Sequence, residues 1–142
     1  MLVIEKKNFS LHNPSWKFTL GPETYETKDT PHRVEAIKRA LAEEGRFKFV
    51  TAKRFDEAHL SRIHPYHDYI KKTSQMARRT GEQFYPDLFP GEGAMLERKI
   101  HPLWGGVWCT DAVTPIMGRT YEVAKGSAEA AINGAEILLA GK

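Results

Sequence analysis

Apolar and polar positions along the chain change period several times, and each change marks an element. Leu2–Ile4 is a short continuous apolar run, which reads as a strand buried on both faces at the start of an α/β sheet. In 31–44, Val34, Ile37 and Leu41 recur at helical spacing. Thr30 stands at the N-cap, Pro31 at the first helical position and Gly45 just past the end, so both boundaries carry their usual chemistry. Phe47–Val50 alternates as a strand, with Phe47 and Phe49 on one side. Asp56 caps a short helix reaching Ile63. A further helix opens at Pro65 and places Tyr66, Tyr69/Ile70, Thr73 and Met76/Ala77 on one face, ending before Thr80-Gly81.

The last stretch, 118–142, reads as one helix of about six turns. Small residues crowd it: Ala124, Gly126, Ser127, Ala128, Ala130, Ala131, Gly134 and Ala135. Small side chains on several sides suit a helix that other backbones approach closely. Gly126 and Gly134 each cost about 1 kcal/mol of helix propensity relative to Ala, which tight packing would offset. Such a helix would normally hand over to a core strand, and the sequence stops at Lys142.

Two stretches lack a period. Residues 8–29 hold Pro14, Pro22 and Gly21 beside Trp16 and Tyr25. Residues 81–120 interleave Pro86, Pro90, Pro102 and Pro115 with glycines and with Phe84, Tyr85, Phe89, Trp104 and Trp108. Both read as long loops whose aromatics order them against a partner surface or the rim of a site. No internal repeat or low-complexity tract interrupts the chain, so 1–142 reads as one domain or part of one.

Composition changes this picture little. The formal charge is +3, with bases and acids interspersed, which gives no electrostatic footprint for nucleic acid. No apolar run approaches the roughly 18 residues of a membrane span. MLVIEKK is too short an apolar start for a signal peptide. The lone Cys109 excludes an intramolecular disulfide and suits a reducing compartment. The expectation is a cytoplasmic protein with no nucleic-acid or membrane partner.

Candidate chemistry is sparse. His59, His64 and His67 lie close together, and His64-x-x-His67 has the spacing of metal ligands on one helix face. Pro65 breaks that helix, so capping or packing histidines are the stronger reading and metal binding the weaker. His12, His32 and His101 stand alone. Cys109 has no adjacent base to activate it. Gly91-Glu92-Gly93 and Gly105-Gly106 neither follow a strand nor open a helix, so they read as turns and not as phosphate cradles. Arg33, in the first turn of a helix that buries one face, is either solvated or lines an internal polar channel.

Order and spacing of these motifs resemble the N-terminal part of the histone deacetylase superfamily, in its bacterial acetylpolyamine amidohydrolase branch. His12-Asn13-Pro14, Gly21 and Thr30-Pro31-His32-Arg33 are similar to the family's opening loop and its Pro-x-Arg. Ala58–His64 followed by Tyr69-Ile70 resembles its histidine-tyrosine signature, here with one extra residue of spacing. Phe84–Pro90 resembles the long insertion of the polyamine branch. Gly106-Val107-Trp108-Cys109 and the small-residue helix resemble the stretch that leads to the active site.

The resemblance implies a partial arginase/deacetylase-like three-layer α/β fold, limited to its first strands and helices. It implies metal-assisted hydrolysis of acetylated polyamines or acetyl-lysine. There, zinc held by two Asp and one His polarises the carbonyl, an adjacent His pair moves protons, and a Tyr assists. All of those residues belong after the final helix. These 142 residues contain no His–His pair and no Asp-x-His, so none is expected to be catalytic, no metal ligand is assigned, and zinc belongs to the complete family enzyme.

Three roles carry over: Arg33 to the internal channel, Asp111 to the substrate rim, and Phe84, Tyr85, Phe89 and Trp104 to an insertion loop that packs on a second subunit. The implied protein is inactive alone, self-associates, and acts on a small acetylated amine only when completed by a C-terminal half. The competing class is a non-catalytic, self-associating interaction module.

Overall fold

In a computed structural model, residues 1–15, 17–27, 30–64, 66–85 and 114–141 are described. They form two compact units, Met1–Phe55 with Glu122–Lys142, and Asp56–Tyr121. Each is a small α/β or helical body of its own, and mixed helix and strand with a parallel pair is the class the sequence predicts.

The first unit is built on β1 (Leu2–Glu5) and β4 (Lys48–Thr51), which pair in parallel with Leu2 opposite Lys48 and Glu5 opposite Thr51. Parallel strands need a crossover, and α1 (Pro31–Glu43) supplies it. Thr30 takes the extended backbone of an N-cap, Pro31 sits at the first helical position, and Gly45 adopts φ +71° just past the end. Thr30 places no side-chain hydrogen bond on the helix, so the start is set by Pro31's fixed φ.

Between β1 and α1 lie a 3₁₀ turn, Phe9–Leu11, and a hairpin of β2 (Lys17–Leu20) and β3 (Glu23–Glu26). The sequence predicts a loop throughout 8–29. Its Gly21-Pro22 is in fact the two-residue hairpin turn, with Leu20 opposite Glu23 and Gly21 at φ +62°. A left-handed Gly at the first central position followed by a residue of fixed negative φ fits the twist of paired strands. Lys17 and Glu26 pair across the open end, which raises the ammonium's pKa and lowers the carboxyl's.

The closing helix, α4 (Thr120–Leu139), contributes to the first unit from Glu122 onward. Its buried residues are Gly126, Glu129 and Asn133, which lie at helical spacing on one face. A methyl group built on Gly134 would touch only Ile4 Cδ1, at 3.4 Å, so Ile4 points towards α4. Glu5 points the other way and pairs with Lys38 of α1 at 2.5 Å. The two helices therefore cover opposite faces of β1. Large apolar burial is scarce in this unit. Neither α1 nor either parallel strand has a fully buried residue, and Ala52 is the buried hydrophobic residue among those described.

The second unit centres on α3 (His67–Thr80), preceded by the short α2 (Ala58–Ser61). Asp56 Oδ1 accepts the Ala58 N–H at 2.9 Å and caps α2 as its position suggests. Asp68 in the first turn of α3, Arg78 and Arg79 in its last, and Gly81 at φ +76° complete the end chemistry. α3 buries His67, Tyr69, Thr73, Ser74 and Ala77. Pro115 and Ile116 are buried with them. Phe84 and Ile116 exchange both backbone hydrogen bonds as an isolated bridge, and Ser74 Oγ donates to Met117 O at 2.8 Å.

Candidate functional site

In open parallel sheets, ligands bind beyond the carboxyl ends of the strands. In the first unit that position holds a crevice of about 700 Å³. Lys6, Lys7 and Asn8 reach it from the end of β1, Thr51, Ala52 and Arg54 from the end of β4, and Glu122, Lys125 and Glu129 from α4.

Glu129 organises this end of the unit. It is 5% exposed. Lys6 Nζ lies 2.8 Å from its Oε2, and the Phe55 N–H donates to Oε1 at 3.2 Å. Burial pushes the Glu129 carboxyl up. The hydrogen bonds from Lys6 and Phe55 and the charges of Lys6 and Lys125 outweigh that and hold it below the usual carboxylate value. A carboxyl held ionised is a fixed anion and a poor proton donor near neutrality.

Asn8 makes the second tie. Its Nδ2 donates to Glu122 O at 2.8 Å, and its amide lies where a methyl group on Gly126 would be, 2.7 Å from the built position. Gly126 is therefore needed for a close approach, as the small-residue pattern suggests, whereas a methyl group on Gly134 would make ordinary contact with Ile4.

The second unit holds a linear polar chain. His67 Nδ1 is 3.2 Å from Asp68 Oδ1, and its Nε2 hydrogen-bonds Tyr121 OH at 3.0 Å. Lys71 lies 5.6 Å from the Tyr121 ring centroid and is paired with Glu57. His67 is buried, so this chain ties α3 to the start of α4 within that unit.

The residues singled out from sequence fall as follows. Arg33 lies in the first turn of α1 with its side chain exposed. Phe84 is half-buried on its bridge to Ile116, and Tyr85 is exposed. Phe89, Trp104, Cys109 and Asp111 lie outside the described residues. His59 is exposed, His64 packs tilted against the Tyr66 ring with centroids 5.1 Å apart, and His67 is engaged by Tyr121. Among the described residues no group of three His, Cys, Asp or Glu side chains converges. The residues described do not fit the zinc of the deacetylase family, and no step is assigned to it.

Sequence reasoning missed Lys6, Asn8 and Glu129. The available signal was a lone acid, Glu129, on the small-residue face of α4, and a Lys directly after an apolar strand. Such a Lys has no place in a buried sheet unless a carboxylate meets it.

Among the described residues no helix is long and apolar enough to cross a membrane. No protein-family model matches the chain, and no curated protein matches it. Among solved structures it is similar to the crystal structure of acetylpolyamine aminohydrolase from Burkholderia pseudomallei, with a TM-score of 0.79 and 21% identity. That likeness covers 100% of this chain and 42% of the other, so the chain spans less than half the length of the structure it matches. Over that span these residues have the α/β fold of an acetylpolyamine aminohydrolase, the histone deacetylase-like fold that the sequence motifs resemble.

Proposed function

We propose that this chain is the scaffold portion of a zinc-dependent amide hydrolase acting on acetylated polyamines or acetyl-lysine, located in the cytoplasm. In this reading it supplies the first strands and helices of the fold and none of the catalytic groups. The observation that carries the proposal is the structural match over all 142 residues to an acetylpolyamine aminohydrolase. Two features agree with the division of labour. The sequence has no adjacent His pair, and the one deeply held carboxylate of the crevice, Glu129, is ionised and committed to Lys6. Arg33 would line the internal channel once further polypeptide covers α1, since it lies one turn before Ile37 on the same flank. Asp111 would sit at the substrate rim, and Phe84, Tyr85, Phe89 and Trp104 would pack on a second subunit.

A self-associating, non-catalytic module is the second reading. It is favoured by Leu138 and Leu139, which are 77% and 89% exposed at the end of α4.

The test is to express the 142 residues alone, and together with whatever polypeptide the same reading frame encodes after codon 142. Hydrolysis of an N-acetylated polyamine is then measured with zinc present. The expected result is no turnover alone and turnover with a continuation that carries a Gly-His-His within about 20 codons, as the family's metal chemistry requires. Turnover by the 142 residues alone, or a folded continuation without activity, overturns the proposal. A stable homo-oligomer with no continuation favours the module.

A further inference from the structure

The crevice beyond the carboxyl ends of β1 and β4 carries more positive than negative charge. Its lining sets four bases, Lys6, Lys7, Arg54 and Lys125, against two acids, Glu122 and Glu129, a net charge of +2. All of these residues belong to the first unit. One pair is already matched: Lys6 Nζ lies 2.8 Å from Glu129 Oε2, and both side chains are largely withdrawn from solvent.

Lys7, Arg54 and Lys125 then remain against Glu122. They come from three separate segments, just after β1, just after β4 and within α4. Their convergence is therefore made by the fold and not by nearness in the sequence. Lys7 and Arg54 are exposed and make no ion pair among the described residues. Elsewhere in the unit Lys17, Lys38, Arg46 and Lys53 each meet a carboxylate. Lys125 is half-buried, and its charge reaches Glu129. Like charges around a concavity repel one another and focus a positive field into it. A bound anion relieves that repulsion.

The lining narrows the ligand. The planar guanidinium of Arg54 matches two oxygens of one phosphate, and the two ammonium groups act on the others as point charges. Thr51 adds a hydroxyl. Leu11 and Ala52 are the apolar side chains there, and no described aromatic ring lines the crevice, so a nucleobase finds nothing to stack on. At about 700 Å³ the space is far larger than a bare phosphate ion and in the range of small-molecule sites. A free polyamine is a polycation, which a net positive crevice repels, so the hydrolase reading does not supply this ligand.

We propose that this crevice binds a small phosphate monoester with a polar, non-aromatic body, held by Arg54, Lys7 and Lys125. Lys6 and Glu129 keep the floor in place by satisfying each other, and Glu122 limits how much negative charge the site accepts.

The test is an NMR titration of the 142-residue chain with glycerol 3-phosphate at pH 7.5 and constant ionic strength, following the amides of Lys7, Thr51, Arg54 and Lys125. The expected result is saturable shifts at these amides, with half-saturation at or below about 1 mM, an affinity that a few charge-assisted hydrogen bonds support. Acetate, a monoanion, binds at least about tenfold more weakly, spermidine leaves these amides unmoved, and adenosine monophosphate binds no more tightly than glycerol 3-phosphate. Arg54→Gln weakens binding by at least about tenfold. Glu122→Gln, which raises the net charge of the lining, tightens it by about threefold. Both positions are exposed, and the spectrum itself reports that each variant is folded.

Inorganic phosphate that binds as tightly as the ester identifies the phosphate group as the whole determinant and upholds the site. No saturable shift at these amides, acetate binding equal to that of the ester, or affinity indifferent to both Arg54→Gln and Glu122→Gln overturns the proposal. None of these readouts involves turnover, so their failure is separate from failure of the hydrolase reading.

Discussion

The helices α1 and α3 look alike in length and differ in what they bury. α1 has the regular apolar face, Val34, Ile37 and Leu41, yet buries no residue. α3 reads HDYIKKTSQMARRT and is mostly polar, yet it buries His67, Tyr69, Thr73, Ser74 and Ala77. Apolar spacing tells which face of a helix is fit for a core. It does not tell whether the same chain covers that face. In the second unit the cover is local in space and partly polar: Ser74 meets Met117 O, and His67 meets Tyr121. In the first unit the apolar face borders a groove and an open strand edge.

The sharpest way to break this contrast is a pair of truncations. Tyr69 is 2% exposed, so Tyr69→Ala is expected to cost about 3–5 kcal/mol, the range for removing a buried aromatic ring. Ile37→Ala, on the nominal core face of α1, should stay within about 0.5 kcal/mol as a surface change does. Urea titration of both variants decides it. Comparable losses would mean that α1 is covered after all.

A smaller effect concerns the polar tie of the first unit. Lys6→Met leaves Glu129 buried with the Phe55 N–H as its remaining direct donor, and should cost about 1.5–3 kcal/mol, the worth of a hydrogen bond to a charged group. The pH dependence follows from the lowered Glu129 pKa. The folded value lies below the unfolded one, so the stabilisation is full above the unfolded carboxylate value and is lost as pH falls through the folded value. Glu129→Gln should flatten that acid limb, as followed by thermal unfolding between pH 6 and pH 3. A limb unchanged in the variant would remove Glu129 from the account.

The glycines give the finest comparison. A methyl group on Gly118 would sit 2.9 Å from Arg78 Cα, a backbone atom that cannot step aside, so Gly118→Ala should destabilise the second unit by about 1–3 kcal/mol. In α4, Gly126→Ala gains helix propensity of about 1 kcal/mol and loses the Asn8–Glu122 hydrogen bond of similar worth, so it should be nearly neutral. Gly134→Ala meets only ordinary contact with Ile4 and should stabilise by about 0.5–1 kcal/mol. Melting temperatures in that order sharpen the reading of α4; destabilisation by Gly134→Ala would contradict it.

How much of this was legible follows the range of the interactions. α1 was readable because its signals are local, Pro31 at one end and Gly45 at the other. α4 was readable from its small residues, although the expected close packing that offsets the cost of its inner glycines is found at Gly126 and only as ordinary contact at Gly134. The hairpin was not read, because Gly21-Pro22 serves equally as a breaker and as a turn, and only the paired register distinguishes them. The burial of α3 was not readable because its polar residues find partners more than 40 positions away. The crevice was hidden for the same reason: Lys6 and Glu129 meet across the whole unit. The fold resemblance survived because it rests on the order of motifs. The site assignments at Phe89, Trp104 and Asp111 fall outside the described residues.

The central claim about the first unit is that β1 pairs with β4 along one edge and, among the described residues, leaves the other edge open. Amide exchange along that strand in the 142-residue chain alone tests it most directly. The account predicts slow exchange at Val3 and Glu5, which donate to β4, and fast exchange at Ile4, between them and facing the groove. Equal protection of Val3, Ile4 and Glu5 in dilute protein would contradict it.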